Sequence, residues 1–154
     1  MITGIEDFLK IRKDIKNKNK TLVFTNGCID IIHRGHIEYL NEARSLGDYL
    51  IVGLNSDSSV NKLKGDNRPI NNQNDRSAVL DNLKSVDYVV IFFEDTPYEL
   101  IKKIIPDILV KGGDWKENYI VGADIVIGNG GIVKSLKYIQ NYSTTALLKK
   151  ISSL

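Results

Sequence analysis

His33 and His36 are the only histidines of the 154-residue chain, and they bracket Arg34 and Gly35. An apolar run, TLVFT (21–25), and a turn, NGCID (26–30), come before them. HIEYLNEARSL (36–46) follows, with Ile37, Leu40 and Ala43 on one helical face. The pattern is a strand, a glycine turn and a helix N-terminus. Backbone N–H groups at such an N-terminus attract phosphate. Two imidazoles three residues apart can face one phosphate group and donate to oxygens that gain charge in a transition state. Gly35, without a Cβ, lets the backbone pass close to a ligand. A zinc site lacks ligands here, because Cys28 is the single cysteine and there is no third histidine.

Other segments carry weaker signals. Tyr142-Ser143-Thr144-Thr145 opens a final helix, Ser143–Ile151, where hydroxyls cap free N–H groups and the same terminus can receive phosphate. Lys62, Lys64 and Arg68 lie in a long polar stretch, residues 56–74, that holds no period beyond a short helix; such loops are often functional. Arg76 sits near a helix start, where a cation needs a partner, either an aspartate or a phosphate. Asp30 either forms a local turn or cap, or orients groups of the site. Lys111-Gly112-Gly113-Asp114-Trp115 places two glycines where a backbone could approach a ligand, and Lys111 and Asp114 can pair with each other. Gly128-Asn129-Gly130-Gly131 lacks dinucleotide-binding spacing and reads as a hairpin turn.

The elements needed to position these groups are legible. YLIVGLN (49–55), DYVVIF (87–92) and DILV (107–110) are further apolar strands; DIVIG (124–128) and GIVKSL (131–136) are two more short apolar segments. Helices fall at 75–83 and 98–105, the latter stopped by Pro106. The first twenty residues form a helix and a basic linker, read as a solvated face, and 21–154 form the core of one domain. Alternating strands and helices predict an α/β fold with a mainly parallel sheet, whose ligand sits at the strand carboxyl ends. TNGCID, LNSD, FFEDT and KGGDW all fall there. Apolar residues are 42% and charged residues 26%, and the net charge is +2. That balance excludes disorder and gives no sign of a nucleic-acid partner. No apolar run spans a bilayer, and MITGIEDFLK is unlike a signal peptide, so a cytoplasmic, membrane-free protein is expected.

The His-x-Gly-His signature resembles that of the HxGH nucleotidyltransferase superfamily. TNGCID-IIHRGHIEYLNEARSLGDYLIVGLNSDSSVNKLKG, RPIN, DRSAVL, VDYVV, EDTP, PDILVKGGDW, IVGAD and YSTTALL follow in order over about residues 20–152. Together they resemble the adenylyltransferase domain of bacterial ADP-heptose synthases. The resemblance implies a Rossmann-like three-layer sandwich with a five-stranded sheet. It also implies in-line transfer of AMP from ATP to a sugar 1-phosphate, D-glycero-β-D-manno-heptose 1-phosphate, with Mg²⁺ arriving on ATP and no protein metal site. Catalysis falls to His33, His36 and Lys64. Nucleotide contacts fall to Thr25, Asn26, Gly27, Lys62, Gly112, Asp114, Tyr142, Ser143, Thr144 and Thr145, and acceptor contacts to Asp30, Lys64, Arg68 and Arg76. A separate heptose kinase would supply the acceptor, and a homodimer is permitted. Tyr138-Ile139-Gln140-Asn141 replaces the Arg-Thr-Glu-Gly of related cytidylyltransferases. A glycerol 3-phosphate cytidylyltransferase and a non-catalytic nucleotide-binding protein are the alternatives.

Overall fold

The computed structural model describes residues 1–113, 115–137 and 142–154. Asp114 and the Tyr138–Asn141 segment named above lie outside the described residues. The elements run α1 (Ile5–Asn17), β1 (Leu22–Gly27), α2 (Arg34–Ser45), β2 (Tyr49–Asn55), α3 (Asp57–Lys64), α4 (Gln73–Asp81), β3 (Tyr88–Phe92), α5 (Tyr98–Ile104), β4 (Ile108–Gly112), α6 (Ala123–Gly128), β5 (Ile132–Leu136) and α7 (Thr144–Ser152). The strands form one sheet in the order β3-β2-β1-β4-β5, and every pairing is parallel. The near-continuous apolar strands are explained by burial on both faces. Leu22, Phe24, Ile51 and Leu109 pack with Phe8 and Ile15 of α1, Ile101 of α5 and Val126 of α6. Val23, Leu50, Val52 and Val110 pack with Leu40 and Ala43 of α2 and Leu80 of α4 on the other side. Helices on both faces of the sheet make three layers.

Three expectations change. DIVIG is most of α6, a helix, and Gly128–Gly131 joins it to parallel β5, so the hairpin reading is wrong. A five-residue apolar run has no period that separates helix from strand, and packing decides. Helix α4 starts at Gln73, because the Asn72 side chain accepts from the N–H groups of Asn74 and Asp75. Arg12 leaves the solvated basic face: it is 5% exposed. Its guanidinium donates to both oxygens of Asp107 and to the Ile104 and Ile105 carbonyls. Asp107 also accepts from the backbone N–H of Leu22, so one carboxylate joins α1, β1 and the start of β4.

The chain runs outward from β1 through β2 to β3, then returns to the other side of β1 for β4 and β5. The switch in strand order therefore lies between β1 and β4, where doubly wound folds open a crevice.

Candidate active site

A cleft of ≈ 460 Å³ opens at that switch point. Thr25, Asn26 and Gly27 line it from the end of β1, and Lys111 and Gly112 from the end of β4. Asp30, His36, Lys64 and Thr144 also line it, and of these residues all but Lys111 were anticipated from sequence. The volume suits a small-molecule ligand.

His33 is the N-cap residue of α2, and its carbonyl accepts from the N–H groups of His36 and Ile37. The helical spacing brings the two imidazoles into a stack, 3.9 Å between centroids and 25° between planes. Gly35 is needed for contacts within the protein. A Cβ there would stand 2.9 Å from the Tyr142 Cβ and 3.1 Å from the His33 ring. The Tyr142 ring lies 6.3 Å from His33, so α7 reaches the histidines through its leading residues. Nδ1 of each histidine is buried without a hydrogen-bond partner among the described residues.

Burial pulls the pKa of His36 down to about 4, and the His33 and Lys64 charges push the same way. Burial also lowers that of His33. Both rings are neutral at pH 7 and act as hydrogen-bonding groups. The unfolded chain binds protons at these sites below about pH 6.5, where the folded chain resists them. Protonation therefore favours unfolding, and the melting temperature should fall as pH drops from about 6.5 toward 4. His36→Gln should flatten that slope; a slope equal to wild type would remove His36 as its source.

The turn that carries the histidines is braced from behind. Ile29 has φ +39°, in the left-handed region, which costs a β-branched residue about 1–2 kcal/mol. Its neighbours hold it there. Asp30, 4% exposed, accepts from Arg68 Nε at 2.7 Å and from the N–H groups of Ile70 and Asn71. Burial opposes ionisation of Asp30, but the Asn71 and Ile70 N–H groups and Arg68 outweigh it and hold the carboxyl below its ordinary range. Arg76 is fully buried and does not line the cleft. It donates to the carbonyls of Asn71 (2.9 Å) and Cys28 (2.6 Å) and to Asp57 (2.8 Å). Asp30, Arg68 and Arg76 thus form a brace joining the turn, the 65–72 loop and the start of α3.

The remaining candidates divide. Lys64 lines the cleft; Lys62, exposed and not among the lining residues, pairs with Asp95 of the rim at 3.0 Å. Ser143 caps α7 by accepting from the Ala146 N–H. Thr144 Oγ1 donates to the Ile31 carbonyl at the cleft, and Thr145 is exposed. The Thr25 hydroxyl bonds Tyr39 at 2.6 Å. Sequence reasoning missed Lys111, whose amine lies in the cleft, and the Asp95-Thr96-Pro97 rim. The position of KGGDW and FFEDT after strands was the available signal.

Residues 24–153 match the cytidylyltransferase-like family. The chain is 53% identical over 152 residues to the bifunctional protein HldE of a Nitratiruptor species, covering 99% of this chain and 32% of that protein. It is 55% identical over 150 residues to the bifunctional protein HldE of Aliarcobacter butzleri, covering 97% and 31%. The chain spans about a third of the length of these curated relatives. Among solved structures, the lipopolysaccharide core biosynthesis protein from Thermoplasma volcanium superposes with a TM-score of 0.63 at 32% identity, over 80% of this chain and 99% of that one. Pantothenate synthetase from Thermus thermophilus shares the fold, with a TM-score of 0.60 at 12% identity, over 91% of this chain and 62% of that one.

Proposed function

The chain belongs to the cytidylyltransferase-like family, and from that premise we propose that it is a nucleotidyltransferase that passes AMP from ATP to a sugar 1-phosphate. The acceptor is D-glycero-β-D-manno-heptose 1-phosphate, which the chain-wide sequence resemblance implies. The observation that carries the reading is the pair of neutral, stacked imidazoles, His36 lining the β1/β4 cleft and His33 stacked on it, each with an unpartnered ring nitrogen among the described residues.

An oxygen of the acceptor phosphate attacks the α-phosphorus of ATP. The new P–O bond forms as the bond to the bridging α–β oxygen breaks, and pyrophosphate carries away that electron pair. No covalent enzyme intermediate is required, so the protein contributes position and charge stabilisation. His33 and His36 donate to the α-phosphoryl oxygens, Lys64 meets the phosphates, and Thr144 with the α7 N-terminus receives the outer phosphates. Among the described residues no group of three or more His, Cys, Asp or Glu could hold a metal ion. Mg²⁺ in this reading travels on the triphosphate oxygens.

No helix of the described residues is long and apolar enough to cross a membrane. The reading places the protein in the cytoplasm, where its one thiol stays reduced. A kinase reaction at the sugar's anomeric carbon must supply the acceptor.

Pyrophosphate release tests the reading. Purified protein with Mg²⁺ is given ATP, CTP or GTP, paired with either anomer of heptose 1-phosphate or with glycerol 3-phosphate. Release with ATP and the β-anomer alone is expected. Release with CTP and glycerol 3-phosphate would replace this reading with the alcohol-phosphate one. Silence in every pairing, with ATP still bound, would make the protein a binding protein.

A further inference from the structure

Arg12, Arg68 and Arg76 are each met by a carboxylate: Asp107, Asp30 and Asp57. Lys111 is not. Its stem rises from the carboxyl end of β4 into the cleft, and its amine is largely buried. It donates to Asn26 Oδ1 at 3.4 Å, beyond the usual range for an N–H···O bond. No described carboxylate pairs with it. A desolvated ammonium with so little compensation is unfavourable, and the volume beside it is open.

We propose that Lys111 is an anion-receiving group of this cleft: when a polyphosphate enters, the amine exchanges Asn26 for a phosphoryl oxygen. The inference rests on the nucleotidyl-transfer reading only for the identity of the natural anion. Burial lowers the amine's pKa, while the neighbouring Cys28 acts in the opposite direction. A phosphate at contact distance favours the charged form. The complex then holds more protons than the free protein, so affinity falls as pH rises through the free amine's pKa. Cys28, His36, Tyr39, Lys64 and Asp95 face the same cleft, and Tyr119 faces Lys111 beside Trp115. The histidines are neutral above pH 7.5, and a variant that changes Lys111 alone separates it from the rest.

Calorimetric titration with inorganic tripolyphosphate, and separately with Mg-ATP, at pH 7.5, 8.5 and 9.5 in buffers of different ionisation enthalpy reads the proton count. Wild type should take up a fraction of a proton that grows over this range. Lys111→Arg, charged throughout, should bind tripolyphosphate without the Lys111 share of that uptake, and so with a smaller proton count than wild type. Lys111→Gln should bind it roughly tenfold more weakly at pH 8.5. Equal uptake by Lys111→Arg and wild type overturns the proposal. So does wild-type affinity in a Lys111→Gln protein with a normal melt, or failure of wild type to bind tripolyphosphate. Proton-coupled tripolyphosphate binding without ATP binding would sink the nucleotide reading and leave this one standing.

Discussion

His36→Ala lowers turnover about 10²–10³-fold while the Michaelis constant for ATP moves by only a few-fold; His33→Ala does the same. The imidazoles are neutral, so they add little long-range attraction for ATP in its ground state. In the proposed reaction their value lies in donors fixed by the stack and by the Gly35 contact, which would meet charge growing on the α-phosphoryl oxygens. An interaction realised mainly in the transition state shows in kcat. Steady-state rates of pyrophosphate release at saturating acceptor measure the split. An unchanged kcat in either variant removes that histidine from the chemistry. A rise in the Michaelis constant with kcat preserved would make it a ground-state anchor.

Arg76→Met lowers stability by about 3 kcal/mol, although the residue does not itself line the cleft. Its guanidinium answers three acceptors at once, and methionine leaves the Cys28 and Asn71 carbonyls and the Asp57 carboxylate without that donor. The Asp57 side chain is 40% exposed, so water repays part of the loss and the figure stays at the lower end for a broken buried pair. For a chain of this size the melting temperature should fall by roughly 6–12 °C. Arg76→Lys recovers little, because one ammonium cannot span the three acceptors. Turnover should fall as well, since the turn before His33 loses its anchor at Cys28. A melting temperature within about 2 °C of wild type would show that the brace is dispensable.

Much of this was legible in the chain. A strand, a glycine turn and paired histidines at a helix start announced the site, because strand and helix periods differ and the two histidines stand at the join. A mainly parallel sheet followed from apolar runs alternating with amphipathic ones, and every pairing proved parallel. What could not be read was pairing at a distance. Arg12 stands both on the α1 stripe with Phe8 and Ile15 and in a run of lysines; its burial follows the stripe, but its partner Asp107, far along the chain, could not be read. Arg76 and Asp30 read as ligand contacts, since a charged residue near a site looks the same whether it faces the substrate or holds the wall. That Lys111 reaches the cleft near Asn26 shows only once β4 is placed beside β1. DIVIG failed for another reason, being too short to show a period.

The position of β1 has a consequence for how the protein is made. Val23 and Phe24 pair with Ile108 and Leu109, from a part of the chain synthesised after β2 and β3 are complete. A growing chain can zip β1, β2 and β3 together early, but one side of β1 stays an open edge, a template for pairing with other molecules. Arrival of Asp107 and β4 closes that edge, neutralises Arg12 and brings Lys111 and Gly112 opposite Asn26 in the same event. The cleft is therefore assembled late: its β4 wall arrives only after β3, and α7 adds Thr144 later still.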